Sequence, residues 1–351
     1  AYQVPIHQLS NRSAILQTSG SKPQPSFSPT EEQEELRQER LDSLPGVDPD
    51  NLDMYLSNEE ILTRDIDLDN SLLSDSARQE LRDAFLDHPK AFSMFGEVGK
   101  CTQSSVSITM LNKDGFFVRP FRYSEDDKQV IRKEIDKMVK QGILVKGSAT
   151  HVSPVLLVKK RQEDGTFKYR VVVDFRKLNT NMAKPVYAQH LIQDAINKIG
   201  LKNARYVTLI DLTSAYHCLQ LSPRSQKYTG IIPLFGGATY KYTRLPMGSS
   251  CSGAEFTQTI LRILENLPNH EDFLINILDD ILIMDADEDD HVEHIKQVIQ
   301  LFEEYGLKNS PKKTKIAQKS YSYMGYEISY DEKGLPVLKI EKNKIEAITK
   351  L

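Results

Sequence analysis

The chain has 351 residues, 39% hydrophobic and 27% charged, enough to bury a sizeable core in two or three structural units. Cys101, Cys218 and Cys251 lie far apart and share no metal-ligand spacing with one another or with the eight histidines, which argues against a disulfide scaffold or a cysteine metal site and fits reduced, intracellular thiols. No stretch approaches the ~18 apolar residues of a membrane span and no apolar signal-peptide core opens the chain, so no membrane partner is expected.

Charge is distributed unevenly along the chain. Residues 1–100 hold 9 Lys+Arg against 19 Asp+Glu, a net of −10, and the remaining 251 hold 36 against 30, a net of +6. The overall −4 therefore joins an acidic leader to a basic body, and a basic body suits a polyanionic partner. Residues 1–74, with "SGSKPQPSFSPTEEQEELRQER" and "PGVDPDNLD", are polar, Pro-rich and acidic; they read as a mostly disordered linker with a short helix around Glu31–Leu41. From "LSDSARQELRDAFLDHPKAF" a helical period places Leu81, Phe85 and Phe92 in a core.

"SEDDKQVIRKEIDKMVKQGIL" predicts a helix capped by Ser124 and stopped at Gly142, with Val130, Ile131, Ile135, Met138 and Val139 as its apolar stripe. Strands then alternate with helices: "SPVLLVKK", "YRVVVDF", a helix near "LIQDAINKI", "RYVTLIDL", the helix "AEFTQTILRILENL", the helix "HVEHIKQVIQLFEEYG" and "SYMGYEIS". This order predicts a mixed α+β fold. No internal repeat of fixed period interrupts it.

Two adjacent acids, Asp279 and Asp280, interrupt the apolar run "FLINILDDILIM". Its two halves are of strand length and too continuously apolar for a sheet with one wet face, so they predict a buried hairpin with both aspartates at its tip. Carboxylates crowded at a buried tip must be exposed, protonated or neutralised by a cation, so an ordinary turn and a metal site are both compatible with this stretch. Asp211 ends the apolar strand Val207–Ile210; alone it reads as a strand terminator or helix cap. Three aspartates at neighbouring strand ends would instead make the oxygen-rich cluster that magnesium prefers. "VLLVKKRQEDGTFKYRVVVDFRKLN" predicts a hairpin turning at Glu163–Gly165, with Lys159, Lys160 and Arg161 before the turn and Arg170 after it. Gly248 in "LPMGSS" allows close backbone approach, whether for a turn or for a ligand.

The ordered blocks "YRVVVDFRKLN", "DLTSAYHCLQL", "LPMGSSCSGAEFTQ", "ILDDILI", "GLKNSPKKT" and "YMGYEIS" resemble the successive blocks of a reverse transcriptase, above all those of gypsy-type LTR retrotransposons and retroviruses, over roughly residues 90–351. The resemblance implies a right-hand polymerase of α+β class, with fingers and palm at 118–330, a palm sheet backed by helices, an N-terminal extension at 75–117 and only the start of a thumb at 331–351. It implies Asp211 and Asp279 as principal Mg²⁺ ligands, with Asp280 as the third acid and the Leu212 carbonyl as a further ligand; two ions are expected, with Mn²⁺ as a substitute. Tyr216 falls at the steric gate against a ribose 2′-hydroxyl, although a core tyrosine is the alternative. Lys160 and Arg170 match the residues that contact the incoming triphosphate, with Lys159 a rival for Lys160. Met247 and Gly248 match the block beside nucleotide and template, and Lys313, or its neighbour Lys312, matches the general acid to pyrophosphate. Met324, Gly325 and Tyr326 match the primer grip.

This sequence departs from the family pattern at Ile277, where an aromatic usually stands two residues before the aspartate pair, and at Gly253, which replaces a proline. The partners implied are an RNA or DNA template with primer, dNTPs, and RNase H and integrase within a longer polyprotein. The setting implied is cytoplasmic, in retroelement particles. The rival expectation is a catalytically decayed or domesticated nucleic-acid-binding module with the same fold.

Overall fold

The computed structural model describes residues 4–5, 56–161, 167–185, 187, 192–323 and 325–341. After the two-residue strand β1 (Val4–Pro5), the described chain resumes with α1 (Asn58–Asp65) and α2 (Asp75–Asp87). Here the structure corrects the expected linker, because residues 56–74 are folded. Ser57 Oγ accepts from Glu60 N–H and Glu60 Oε2 accepts from Ser57 N–H (2.7 Å), a capping box that starts α1. Ile61, Leu62, Ile66, Leu68 and Leu73 are buried in one core with Leu81, Phe85 and Phe92. Acidic residues separate these apolar ones along the chain, so composition alone reads as disorder; packing on α2 and its neighbours buries them. The helix expected around Glu31–Leu41 lies outside the described residues.

Next come β2 (Phe116–Phe117), α3 (Glu125–Lys140), β3 (Leu144–Lys146), β4 (His151–Arg161), β5 (Phe167–Val173) and α4 (Arg176–Thr180). As the sequence predicts, the Ser124 hydroxyl accepts Asp127 N–H (3.2 Å) at the start of α3, and Gly142 follows the helix at φ 67°. Only Ile131 and Ile135 of its stripe are buried, and Val139 is exposed. The remainder comprises α5 (Ile192–Leu201), β6 (Tyr206–Asp211), β7 (Gly230–Ile232), β8 (Tyr240–Tyr242), α6 (Ser252–Leu264), α7 (His270–Phe273), β9 (Leu274–Ile277), β10 (Asp280–Asp285), α8 (Glu288–Tyr305), β11 (Ser320–Tyr323), β12 (Tyr326–Tyr330) and β13 (Pro336–Ile340).

The described residues form three sheets: β2-β4-β7-β8-β3 with β5 added to β4, the central β6-β10-β9, and β1-β13-β12-β11. In the central sheet Asp280, Leu282 and Met284 stand opposite Asp211, Leu209 and Val207, while Ile281 and Ile283 stand opposite Ile210 and Thr208. Because successive side chains leave a strand on opposite faces, β10 feeds two cores. Ile281, Ile283 and Ile210 join the large core with Phe256 of α6 and Ile295 of α8. Leu282, Met284, Val207 and Leu209 join a second core with Ile196 and Ile199 of α5 and with Tyr323 and Ile328 of the third sheet. Cover on both faces explains the unbroken apolar run.

Candidate active site

Asp280 is the first residue of β10 and lies directly across from Asp211, the last residue of β6. The turn of the β9–β10 hairpin is Leu278–Asp279, because Asp280 already pairs with Ile277. The expected tip at Asp279–Asp280 is thus displaced by one residue. Leu278 adopts φ 57°, a left-handed value unusual for a branched side chain. Asn276, buried in β9, secures it: Nδ2 donates to the carbonyls of Leu278 (3.0 Å) and Asp280 (3.3 Å). Nothing in the sequence marked Asn276 beyond its being the one amide in an apolar strand.

The segment after α8 lies along β6. Ser310 N–H donates to the Asp211 carbonyl (2.9 Å), and Lys315 and Leu209 exchange backbone hydrogen bonds (2.8 and 2.9 Å). This places Lys313 Nζ 3.0 Å from Asp211 Oδ1 and 3.2 Å from Oδ2, whereas Lys312 Nζ lies 4.0 Å from Asp65 at the end of α1. Leu212 N–H donates to the Asp279 carbonyl (3.3 Å), tying the strand end to the hairpin tip. Burial raises the Asp211 carboxyl above its ordinary range against the opposing pull of Lys313. Burial, reinforced by the charges of Asp279 and Asp211, pushes Asp280 up to about 6.

Among the described residues no three acidic, His or Cys side chains close on a single point as a ready-made metal cage. Magnesium does not require one, since it is commonly held by one or two carboxylates together with substrate phosphates and water. Three oxygen donors at one sheet edge, two of them held toward their acid forms by burial, have the chemistry of that kind of site.

Tyr216 lies on a 3-10 turn, Ala215–Cys218, that follows Asp211, with its ring 5.3 Å from that of Phe256. Its phenol is raised first by burial and then by the charge of Asp279. Met247 is exposed, and Gly248 turns the chain at φ 84°. On the β4–β5 hairpin, Lys160 pairs with Lys168 and Val158 with Arg170, so period-2 alternation puts Lys160 and Arg170 on the same face. Lys159 pairs with Tyr169 on the opposite face, its ammonium 2.7 Å from Asp127 of α3 and 5.6 Å from the Tyr169 ring centroid. The turn at Glu163–Gly165 lies outside the described residues. Sequence reading missed Asp127, which looked like one more acid in the first turn of a helix.

The β11–β12 hairpin pairs Tyr323 with Tyr326 and carries Gly325 at φ 82°; Met324 lies outside the described residues. Ile277 is only 4% exposed and joins the same core as Tyr323, so the side chain two before Asp279 is core here rather than surface.

Residues 158–328 match the family described as reverse transcriptase (RNA-dependent DNA polymerase). Over 285 residues the chain is 26% identical to the retrovirus-related Pol polyprotein from transposon gypsy of Drosophila melanogaster, across 80% of this chain and 26% of that protein. It is 31% identical over 208 residues to the Pro-Pol polyprotein of Simian foamy virus type 1, across 59% of this chain and 17% of that protein. The chain therefore spans about a quarter or less of these relatives. A foamy viral protease-reverse transcriptase solved in complex with an RNA/DNA hybrid superposes with a TM-score of 0.66 at 19% identity, covering 83% of this chain and 37% of that one. The native Prototype Foamy Virus protease-reverse transcriptase gives 0.62 at 26% identity, covering 76% and 34%. Family, relatives and fold agree: residues 158–328 form a reverse transcriptase domain, and the chain around it is similar to retroelement Pol polyproteins.

Proposed function

We propose that the chain is the polymerase portion of a retroelement reverse transcriptase, joining dNTPs to the 3′-hydroxyl of a primer on an RNA or DNA template and releasing pyrophosphate. The observation that carries this reading is the Asp211–Asp280 pairing, with Asp279 at the adjoining tip, inside the segment that matches the family. The RNA/DNA hybrid bound by the foamy viral neighbour supports the choice of template.

Asp211, Asp279, Asp280 and the Leu212 carbonyl would hold two Mg²⁺ ions, or Mn²⁺ in their place, which when bound make the primer hydroxyl more acidic and offset phosphate charge. The chain's own groups do the rest. Lys160 and Arg170, sharing a strand face, hold the triphosphate, and Lys160 is favoured over Lys159 because Asp127 already engages the latter. Lys313 Nζ gives a proton to the departing pyrophosphate oxygen; its place beside Asp211 supports it over Lys312. The Tyr216 ring, backed by Phe256, excludes a 2′-hydroxyl, the one group that separates rNTP from dNTP. Met247 and Gly248 flank the nucleotide, and Met324, Gly325 and Tyr326 steady the primer end. As part of a polyprotein the chain would act in cytoplasmic particles beside RNase H and integrase segments.

Primer extension on an RNA template with dNTPs and Mg²⁺, comparing the parent with Asp279→Asn, tests the reading. Extension by the parent, lost in the variant, supports it. A parent that shifts template–primer in a gel yet never lengthens the primer would overturn it in favour of a binding module.

A further inference from the structure

Asn179, which stands on α4 just beyond the strand that carries Arg170, uses both ends of its amide on one turn. Its Nδ2 donates to the Gly248 carbonyl (3.0 Å) and its Oδ1 accepts Ser250 N–H (2.9 Å). The turn needs such support. Gly248 sits at φ 84°, the left-handed value a type II turn places at its third residue, and Met247 before it is exposed. Inside the turn Ser252 Oγ donates to the Pro246 carbonyl (2.6 Å), and Ser249 Oγ lies 3.2 Å from Cys251 Sγ. These bonds shape the turn but leave its position relative to the β4–β5 hairpin open. Among the described residues Asn179 links it to the Phe175–Asn181 stretch, itself anchored by the Asn179 N–H to Phe175 carbonyl bond (2.7 Å), and Ser249 Oγ adds a weaker contact to Met182 Sδ (3.7 Å) just beyond.

A side-chain amide offers a donor and an acceptor from one rigid plane. Aspartate has the same shape and can still accept from Ser250, but it cannot donate to Gly248 and sets an anion against a carbonyl oxygen. We propose that Asn179 is a positioning residue that clamps the Met247–Gly248 turn in register with Arg170, so that the nucleotide meets one preset surface formed by both. The inference rests on the polymerase reading above. Its chemistry predicts an effect on dNTP capture rather than on the chemical step or on template binding.

The experiment compares the full chain with Asn179→Asp and Asn179→Ala, measuring KM for dNTP, kcat, template–primer Kd, melting temperature and amide hydrogen exchange across 245–252. The expected result is a KM about 10-fold higher in both variants, on the scale of one lost hydrogen bond, with kcat, Kd and melting temperature near parental. Exchange at Gly248–Cys251 should be faster in both. An active parent whose variants keep the parental KM and exchange sinks the clamp alone. Variants that lose melting temperature and template–primer affinity together with KM mark Asn179 as merely structural and also overturn it. A parent that extends no primer sinks the polymerase reading, and the nucleotide role of Asn179 with it.

Discussion

Asp211 and Asp280 face each other across the β6–β10 ladder, and Ile277 pairs with Asp280 from the other side. Two half-buried carboxylates therefore share one sheet edge with an apolar neighbour. Removing one charge should weaken catalysis and relax the fold. Asp280→Asn is expected to lower extension roughly 10²–10³-fold, the usual cost of deleting one preorganised electrostatic group. The same variant should melt higher than the parent at pH 7, by ~2–4 °C for each kcal/mol of relieved repulsion. Calorimetry and extension on one preparation check both, and a variant that melts lower than the parent contradicts the burial argument.

Lys160 and Lys159 should separate cleanly. Lys160→Ala is expected to raise KM for dNTP roughly 10-fold or more, the scale of a lost charge-assisted hydrogen bond. Lys159→Ala, which frees Asp127 instead, should leave that KM within ~2-fold, as expected when an exposed ion pair is lost. Equal KM effects would show that the face assignment from strand alternation is wrong.

Tyr216→Val should relax sugar choice. Shortening the ring backed by Phe256 opens the space expected for a 2′-hydroxyl, so rNTP incorporation relative to dNTP should rise roughly 10–100-fold by pocket-size discrimination. Single-nucleotide insertion with paired rNTP and dNTP measures the ratio directly. An unchanged ratio would return Tyr216 to the role of a core tyrosine.

A buried histidine makes the fold acid-sensitive. His291 donates Nδ1–H to Asp285 (2.8 Å) and accepts the Thr208 hydroxyl at Nε2 (2.8 Å), while His294 Nδ1 meets the other Asp285 oxygen (3.0 Å). Burial draws the His291 pKa below its ordinary value against the pull of Asp285. The unfolded chain therefore takes up this proton first, near pH ~6.5. The stability that neutral His291 contributes is present above that pH and is lost as pH falls toward the lower folded value. Between pH 7 and pH 5 the parent's melting temperature should therefore fall relative to that of His291→Gln, because the raised Asp280 and Asp211 carboxyls, which act in the opposite sense over this range, are common to both.

Gly253→Ala should stabilise the chain. Gly253 is the second residue of α6 and an added Cβ meets nothing within 4 Å. Replacing helical glycine by alanine contributes up to ~1 kcal/mol, or ~2–4 °C in melting temperature. No gain would mean that the glycine backbone freedom is used at this helix start.

The sequence alone carried whatever depends on neighbours in the chain. Ser124 before an acidic first turn, Gly142 after α3 and the helical spacing of Leu81 and Phe85 are local signals, and each matched the structure because caps and periods act within a few residues. The Asp279–Asp280 pair in its apolar run was visible for the same reason. Tertiary structure alone decided where each of two adjacent lysines points. Lys160 rather than Lys159 shares a face with Arg170 because the strand register sorts side chains by parity, and Lys313 rather than Lys312 meets Asp211 because the chain after α8 is pinned along β6 by backbone hydrogen bonds. It also decided that residues 56–74 fold, since their scattered apolar side chains find partners only on α2 and the core beyond, and that Asn179 reaches the Gly248 turn 69 positions away. Long-range pairings of this kind leave no periodic trace in one sequence. They are set when the two cores on either face of β10 close.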